Sequence, residues 1–493
     1  MRDTVKNASY NAFGYVFPVA LSILVMPYMV RKLTPEVYGI YILCISIAGM
    51  LSFLDMGFGQ GIVRFVSKYE AKNDRERINE IIKVTFTVHT LMGIIGGFII
   101  YGLSGVLAKS VLKIAPEYAE ISILAFNIAA IGFIINFIAA TFSNIPKAFQ
   151  RYDIFIKIQN SIFFLQITST VTLLYMGMGV IEILITQVFF QITGLLFFYI
   201  SSKRILPTFK VGFGFNKEIF KEIFGFSIYT ALNEVTASAI YRGDKMIIGA
   251  LLGAEAVTFC SIPSMLVQAA NGLIHFSSQS LMPGVSYVQS LLDREMLKGI
   301  YKKSVRFALT AGLLINIPLI LLGDAVLTLW MGKEFSEKSS FLIPVISVIF
   351  FLKSPALVAL WFCNGLGRAD INFIVSTAGA FLYLLGAVFL IPVFGLLGAA
   401  LALALVLVPH PPYFYILNRM LGVNSGWFVA LFSRAALVAL SAISLSQFIP
   451  FPGKLGWFIF ISLSIIAGVL FVAYALKIII KEDFTEIFKR LSL

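Results

Sequence analysis

Fourteen apolar stretches of about 20 residues each, separated by short polar connections, run almost the whole length of the 493-residue chain, and this spacing leaves few folds open. A bilayer hydrocarbon core about 30 Å thick is crossed by roughly 20 apolar residues in a helix. Within that core the backbone must satisfy its own hydrogen bonds, so each stretch is expected to be helical. With 59% of residues hydrophobic and a mean hydropathy of +0.91, little sequence is left for a separate soluble domain. The expected fold class is all-α, a polytopic membrane protein of about 14 transmembrane helices.

A net charge of +13 raises the question of nucleic acid, but the Lys and Arg residues lie between the apolar stretches and form no basic groove with interleaved aromatics. They read instead as orientation signals. One alternate set of connections carries the basic runs Arg64 to Lys83, Lys203 to Lys221 and Arg294 to Arg306 and the tail through Arg490. The other set carries little beyond Arg31, Lys32, Lys109, Lys113, Lys333, Lys338 and Lys454. The positive-inside rule then places both termini in the cytoplasm, which an even number of spans permits. Arg2 and Lys6 precede an apolar run that continues through Val30 without a small-residue cleavage site, so this run is read as a retained first span. Cys44, Cys260 and Cys363 lie in or beside apolar stretches without CxxC spacing and are expected to be buried thiols.

Shifting the chain by 219 positions aligns the first two stretches with the seventh and eighth. Tyr10 meets Tyr229, Glu36 meets Glu255, Gln60 meets Gln279, Ser67 meets Ser286, and the charged tripeptide Asp74-Arg75-Glu76 falls on Asp293-Arg294-Glu295. Six stretches separate the copies, so both run through the membrane in the same direction. Parallel six-helix halves of this kind are an architecture of alternating-access transporters, with a substrate site between the halves. The expected organisation is a first half at 1–200, an amphipathic linker at 201–225, a second half at 226–418, and two extra helices with a tail at 419–493. In the linker, Asn216 can cap a short helix with Ile219, Phe220, Ile223 and Phe224 on one face. This suits a strap on the inner membrane surface; the alternative is an extension of the seventh span.

A charged side chain at mid-bilayer costs roughly 2.5–3.5 kcal/mol on insertion scales, so each such residue is a functional candidate. As one continuous helix over 226–249, the seventh stretch aligns Ser227, Thr230, Glu234, Ser238, Tyr241 and Lys245 along one line, with Arg242 and Asp244 flanking it. The functional reading is the wall of a hydrated cavity; the plainer one is an ion-pair network near the interface. Asp55 and Arg64 bracket the glycine-rich run LDMGFGQGIVRF at the end of the second stretch, as an inner gate or as interfacial anchors. Lys353 and Arg434 face either the cavity or the interface. His89, His275 and His410 show no metal-ligand spacing and read as packed or hydrogen-bonded side chains. No phosphate-binding GxxxxGK[ST], GxSxG or zinc pattern occurs, so neither ATP hydrolysis nor another enzymatic activity is expected, and no cofactor.

The segments LTPEVYGIY (Leu33 to Tyr41), LDMGFGQGIVRF, YRGDKMIIGALLG and GRADINFIV with LIPVFGLLGAALALAL resemble polysaccharide biosynthesis proteins, the Wzx-type flippases of the multidrug/oligosaccharidyl-lipid/polysaccharide (MOP) exporter superfamily. That resemblance implies movement of an undecaprenyl-pyrophosphate-linked oligosaccharide from the inner to the outer leaflet of the bacterial cytoplasmic membrane. It also implies alternating access coupled to H+ or Na+, and cooperation with a polysaccharide polymerase and glycosyltransferases. On this reading Arg242 and Lys245, with Arg64, Lys353 or Arg434, meet the pyrophosphate; Tyr241, with Tyr229 and Tyr15, meets sugar; and Glu234, Asp244 or Asp55 exchanges the ion. The competing expectations are a MATE-like drug exporter, which calls for acidic cavity groups, and a scaffold that transports nothing. A membrane polymerase or ligase would need a sizeable outer loop that the chain does not have.

Overall fold

The computed structural model describes the backbone of residues 2–112, 114–279, 281–446, 455–476 and 478; side chains are described for most of these, but not at 2–12, 15, 226–234, 237, 239, 241, 276, 283, 290, 442–446, 455–460 or 463. The chain divides into two compact units, Met1–Thr258 and Phe259–Leu493. Unit 1 contains α1 (Arg2–Leu33), α2 (Pro35–Met50), a 3-10 turn at Leu51–Asp55, α3 (Phe58–Glu70), α4 (Arg75–Val106), α5 (Pro116–Ala148), α6 (Tyr152–Tyr175), α7 (Val180–Ile205), α8 (Lys217–Tyr241) and α9 (Gly243–Leu252). The helix α10 (Ala254–Gln279) leads into unit 2, which continues with α11 (Leu281–Ser290), α12 (Arg294–Met331), α13 (Lys333–Ser339), α14 (Leu342–Gly365), α15 (Ala369–Ala404), α16 (His410–Leu421), α17 (Ser425–Ser446) and α18 (Leu455–Ala475). The described residues contain no strand.

The described parts of all fourteen expected stretches are mainly helical. Among the described residues, nine segments are by themselves long and apolar enough to cross a membrane, one of them the 53-residue Ala369–Leu421, which holds two expected spans. Gly395, at φ 57 and ψ −133, breaks the helix between them. The protein is a multi-pass all-α membrane protein.

The internal repeat recurs as local geometry. Asp74 caps α4 by accepting from Arg77 N at 3.0 Å, and Asp293 caps α12 by accepting from Met296 N at 2.9 Å. Left-handed residues precede both caps, Asn73 at φ 55 and Leu292 at φ 57. Ser67 Oγ donates to Ala148 O, as Ser286 Oγ donates to Gly365 O. From there the offset is two residues shorter: Gln150 and Gly367 both have positive φ, and each is followed by a local ion pair, Arg151–Asp153 and Arg368–Asp370. Gly93 lies against Phe137, and Gly312 lies against Ser354 at the matching place.

Three expectations about continuity are corrected. The second stretch is not one helix over 37–59: it ends at Met50, tightens through the 3-10 turn, and restarts at Phe58 after Met56 and Gly57 take left-handed conformations at φ 51 and 73. The seventh stretch breaks at Arg242, whose φ of −130 and ψ of −32 separate α8 from α9, so the expected polar line does not run unbroken to Lys245. The segment 217–225 is no surface strap. It forms the first turns of α8, as the alternative had it, and the apolar face expected to meet lipid meets protein. Ile219 and Ile223 are 0% and 1% exposed in a core shared with Phe58, Ile62 and Val66 of α3 and Ile78, Ile81 and Ile82 of α4. Lys68 Nζ, 2.9 Å from Glu222 Oε1, ties the same turns to α3. The division between the two compact units follows Thr258.

Candidate functional site

The break between α2 and α3 exposes two helix ends inside an apolar unit, and each holds the charge that suits its dipole. The C-terminal end of α2 presents free carbonyls and partial negative charge, and the N-terminal end of α3 presents free N–H groups. Arg242 Nη1 donates to Gly49 O at the first end and lies 3.2 Å from Ser52 Oγ. Gly49 makes the approach feasible, because a Cβ there would come within 2.5 Å of Arg242 Nη1. At the second end, Asp55 accepts from Gly59 N through Oδ1 and Oδ2 at 3.2 and 3.3 Å. Oδ1 also lies 2.7 Å from His89 Nε2 on α4, and His89 Nδ1 lies 2.7 Å from Thr141 Oγ1 on α5.

Beside Arg242, α2, α5 and α7 enclose a cavity of about 320 Å³ within unit 1, lined by Ser52, Phe133, Asn136, Gln187, Gln191 and Arg242 among others. Among the described lining residues Arg242 is the charged one. Gln187 Nε2 donates to Tyr41 Oη at 2.6 Å, which fixes its carboxamide. Gln191 Oε1 is buried without a hydrogen-bond partner, and a Cβ on Gly132 would come 2.7 Å from it. An acceptor left open at a cavity wall is an incentive for a ligand that donates.

The other candidates are scattered. Lys245 Nζ pairs with its neighbour Asp244 at 3.0 Å, the ion-pair arrangement weighed for this segment. Arg64 is exposed on α3, its guanidinium carbon 5.6 Å from the Phe65 ring centre. Lys353 lies on α14 in unit 2, its Nζ 5.9 Å from the Phe350 ring centre. Arg434 donates to Leu476 O beyond the end of α18 at 3.3 Å, and so closes that helix end. Glu234 and Tyr241 lie on α8, and their side chains, with those of Tyr229 and Tyr15, are outside the described ones. The three cysteines are buried thiols outside any disulfide, and no group of three or more His, Cys, Asp or Glu among the described residues could hold a metal. His89 is buried and hydrogen-bonded, as the sequence reading had it, but its partner Thr141 and the cavity residues Asn136, Gln187 and Gln191 were not singled out, because uncharged polar residues in an apolar stretch carry little signal.

Lipid-length helices in two repeated copies, with polar side chains gathered at a broken helix and a small cavity, define a multi-pass membrane protein of transporter-like build. The chain belongs to the family described as polysaccharide biosynthesis protein, which matches residues 4–289. A putative O-antigen transporter of Shigella flexneri is 23% identical over 81% of this chain and 93% of its own length. The capsular polysaccharide biosynthesis protein CapF of Staphylococcus aureus is 22% identical over 84% of this chain and 100% of its own. Among solved structures, the lipid II flippase MurJ in an inward closed conformation matches with a TM-score of 0.74 at 13% identity, over 95% of this chain and 98% of that one. An inward-facing multidrug resistance MATE family transporter of the MOP superfamily matches with a TM-score of 0.68 at 14% identity, over 83% and 94%. At these identities the likeness to the solved structures is one of fold.

Proposed function

We propose that the protein is a secondary transporter that flips an undecaprenyl-pyrophosphate-linked oligosaccharide from the inner to the outer leaflet of the bacterial cytoplasmic membrane for surface polysaccharide synthesis. It works by alternating access, with both termini in the cytoplasm and with its energy drawn from an H+ or Na+ gradient. The observation that carries the reading is the pairing of Arg242 with carboxamides in the unit 1 cavity. A guanidinium offers a planar fork of donors that matches phosphate oxygens bidentately. Carboxamides both donate to and accept from sugar hydroxyls, and Phe133 and Phe137 add apolar wall to the cavity. A space of about 320 Å³ suits part of a headgroup, so the polyprenyl tail stays in the bilayer. The family and the transporters and flippase among its relatives support this assignment. Export of organic cations, the reading a MATE likeness invites, calls for an acidic wall, and the described lining residues include no acid. Glycosyltransferases that supply the lipid-linked chain and a polymerase that consumes it are the partners this activity requires.

The test is to deplete the protein in its native host and quantify lipid-linked oligosaccharide on each leaflet with a sugar-modifying probe confined to the periplasm. Accumulation on the inner leaflet with loss from the outer is the expected result, and restoration by an Arg242→Ala variant of equal abundance should fall about tenfold or more short, the loss of one charge-assisted contact. Undiminished arrival on the outer leaflet after depletion would overturn the flippase reading in favour of drug export or a scaffold role.

A further inference from the structure

The repeat supplies a control for every polar group in unit 1. The positions matching Asp55, His89 and Thr141 are Ile274, Ala308 and Val358, at the offsets fixed by the neighbouring caps and by the Gly93–Phe137 and Gly312–Ser354 contacts. All three are core residues of unit 2, 2%, 0% and 1% exposed. The fold therefore packs this point with apolar side chains, and unit 1 departs from that solution by placing an ionisable pair and a hydroxyl there, against the usual penalty for charge in a membrane segment.

We infer that Asp55, His89 and Thr141 form a proton-binding site that controls the bend between α2 and α3. The inference rests on the transport reading above only for the use to which the proton is put. His89 is 0% exposed and Asp55 32% exposed at the side chain, so the carboxylate is the entry point and the imidazole the sealed end. In the unloaded state His89 Nε2–H donates to the Asp55 carboxylate and Nδ1 accepts from the Thr141 hydroxyl. Adding one proton turns Nδ1 into a donor to Thr141 Oγ1, whose own hydrogen swings to a helix carbonyl one turn back. Neither state leaves a ring nitrogen unpaired, and the charge of the pair changes from −1 to neutral. The Nε2–H bond to Asp55 Oδ1 becomes charge-assisted and draws that oxygen, which Gly59 N–H shares, more strongly than the neutral ring does, which loosens the cap on α3 beside the left-handed Met56 and Gly57.

The chemistry favours a proton over a metal cation, because hard cations take several oxygen ligands whereas the Asp55 oxygens here face N–H donors. The charged residues on the surrounding helices are Arg64, Lys68 and Glu70 on α3, Arg75, Glu76, Arg77, Glu80 and Lys83 on α4, Glu117, Glu120 and Lys147 on α5, and Lys217, Glu218, Lys221, Glu222 and Glu234 on α8, with Arg242 after it. Lys68 is committed to Glu222, Lys147 to Asn144, and Arg242 to the end of α2.

The test is nitrogen NMR of the full chain labelled with 15N-histidine in lipid nanodiscs between about pH 5 and pH 9. The three histidines are told apart by His275→Gln and His410→Gln. His89 is expected to pass from one protonated ring nitrogen to two with a single midpoint, and Asp55→Asn to move that midpoint by about 1–3 pH units. Maleimide labelling of Gln60→Cys, exposed just past the bend, should change several-fold across the same midpoint. A His89 that holds one protonated nitrogen throughout, or that titrates identically in Asp55→Asn, overturns the site. Titration with constant labelling overturns its control of the bend. A silent His89 in a protein that passes the leaflet assay defeats this inference alone; a titrating His89 in one that fails it defeats the flippase reading alone.

Discussion

Thr34 and Gly253 occupy the same place in the two copies and show what a side chain costs there. Both take backbone conformations open almost only to glycine, Thr34 at φ 72 and ψ 154 and Gly253 at φ 90 and ψ 173. A β-branched residue in this region carries strain of about 1–3 kcal/mol, while glycine adds unfolded-state entropy of about 0.5–1 kcal/mol. Thr34→Gly should therefore raise the unfolding free energy by about 1 kcal/mol, read as a higher thermal midpoint in detergent; a lower midpoint would refute the strain. Residues whose partners are near in sequence were legible beforehand: the Asp74 and Asp293 caps stand in the repeated tripeptide, and Lys245 pairs with its neighbour. The partners of His89 were not, because Asp55 and Thr141 lie 34 and 52 positions away and only the fold brings them together.

The broken second stretch shows where periodicity misleads at the scale of an element. Hydropathy runs unbroken over 37–59 and suits one helix; the glycines in LDMGFGQG were the available sign of the bend, and what they permit is a pair of left-handed residues that hydropathy does not register. The two pictures make opposite predictions. In a continuous helix Gly57→Ala would stabilise by up to about 1 kcal/mol, since alanine is the better helix former. At φ 73 and ψ 9 a Cβ is penalised by roughly 1–2 kcal/mol, so Gly57→Ala should destabilise, while Met56→Gly, at φ 51 and ψ 22, should be neutral or stabilising. A chemical or thermal unfolding series on the two variants decides the matter by sign. The break before α9 carried only Gly243 as its sign, and Arg242 there leaves the helical path to reach a carbonyl 193 residues away in sequence.

Over the whole molecule the repeat was readable from identities alone, and with it the fact that the last two stretches stand outside it. Their attachment was not. In lipid, apolar surface gains little from meeting apolar surface, so helices associate through close fit, often over small residues. Ala435 and Ala439, one turn apart on α17 and 0% and 3% exposed, lie in one core with Leu309 and Leu313 of α12, joined by Phe428, Leu431 and Val438 of α17 and Val469 and Ala473 of α18. The two extra helices are thus part of unit 2 and complete the packing of α12, its longest helix. A chain ended after Leu421 should accumulate far below the full-length level and lose its monodisperse gel-filtration peak. Ala435→Leu in the intact chain should lower stability by about 1–3 kcal/mol through overpacking, whereas Leu437→Ala on the exposed side of α17 should change little. A truncated chain as abundant and as stable as the intact one would show that unit 2 closes its core without α17 and α18.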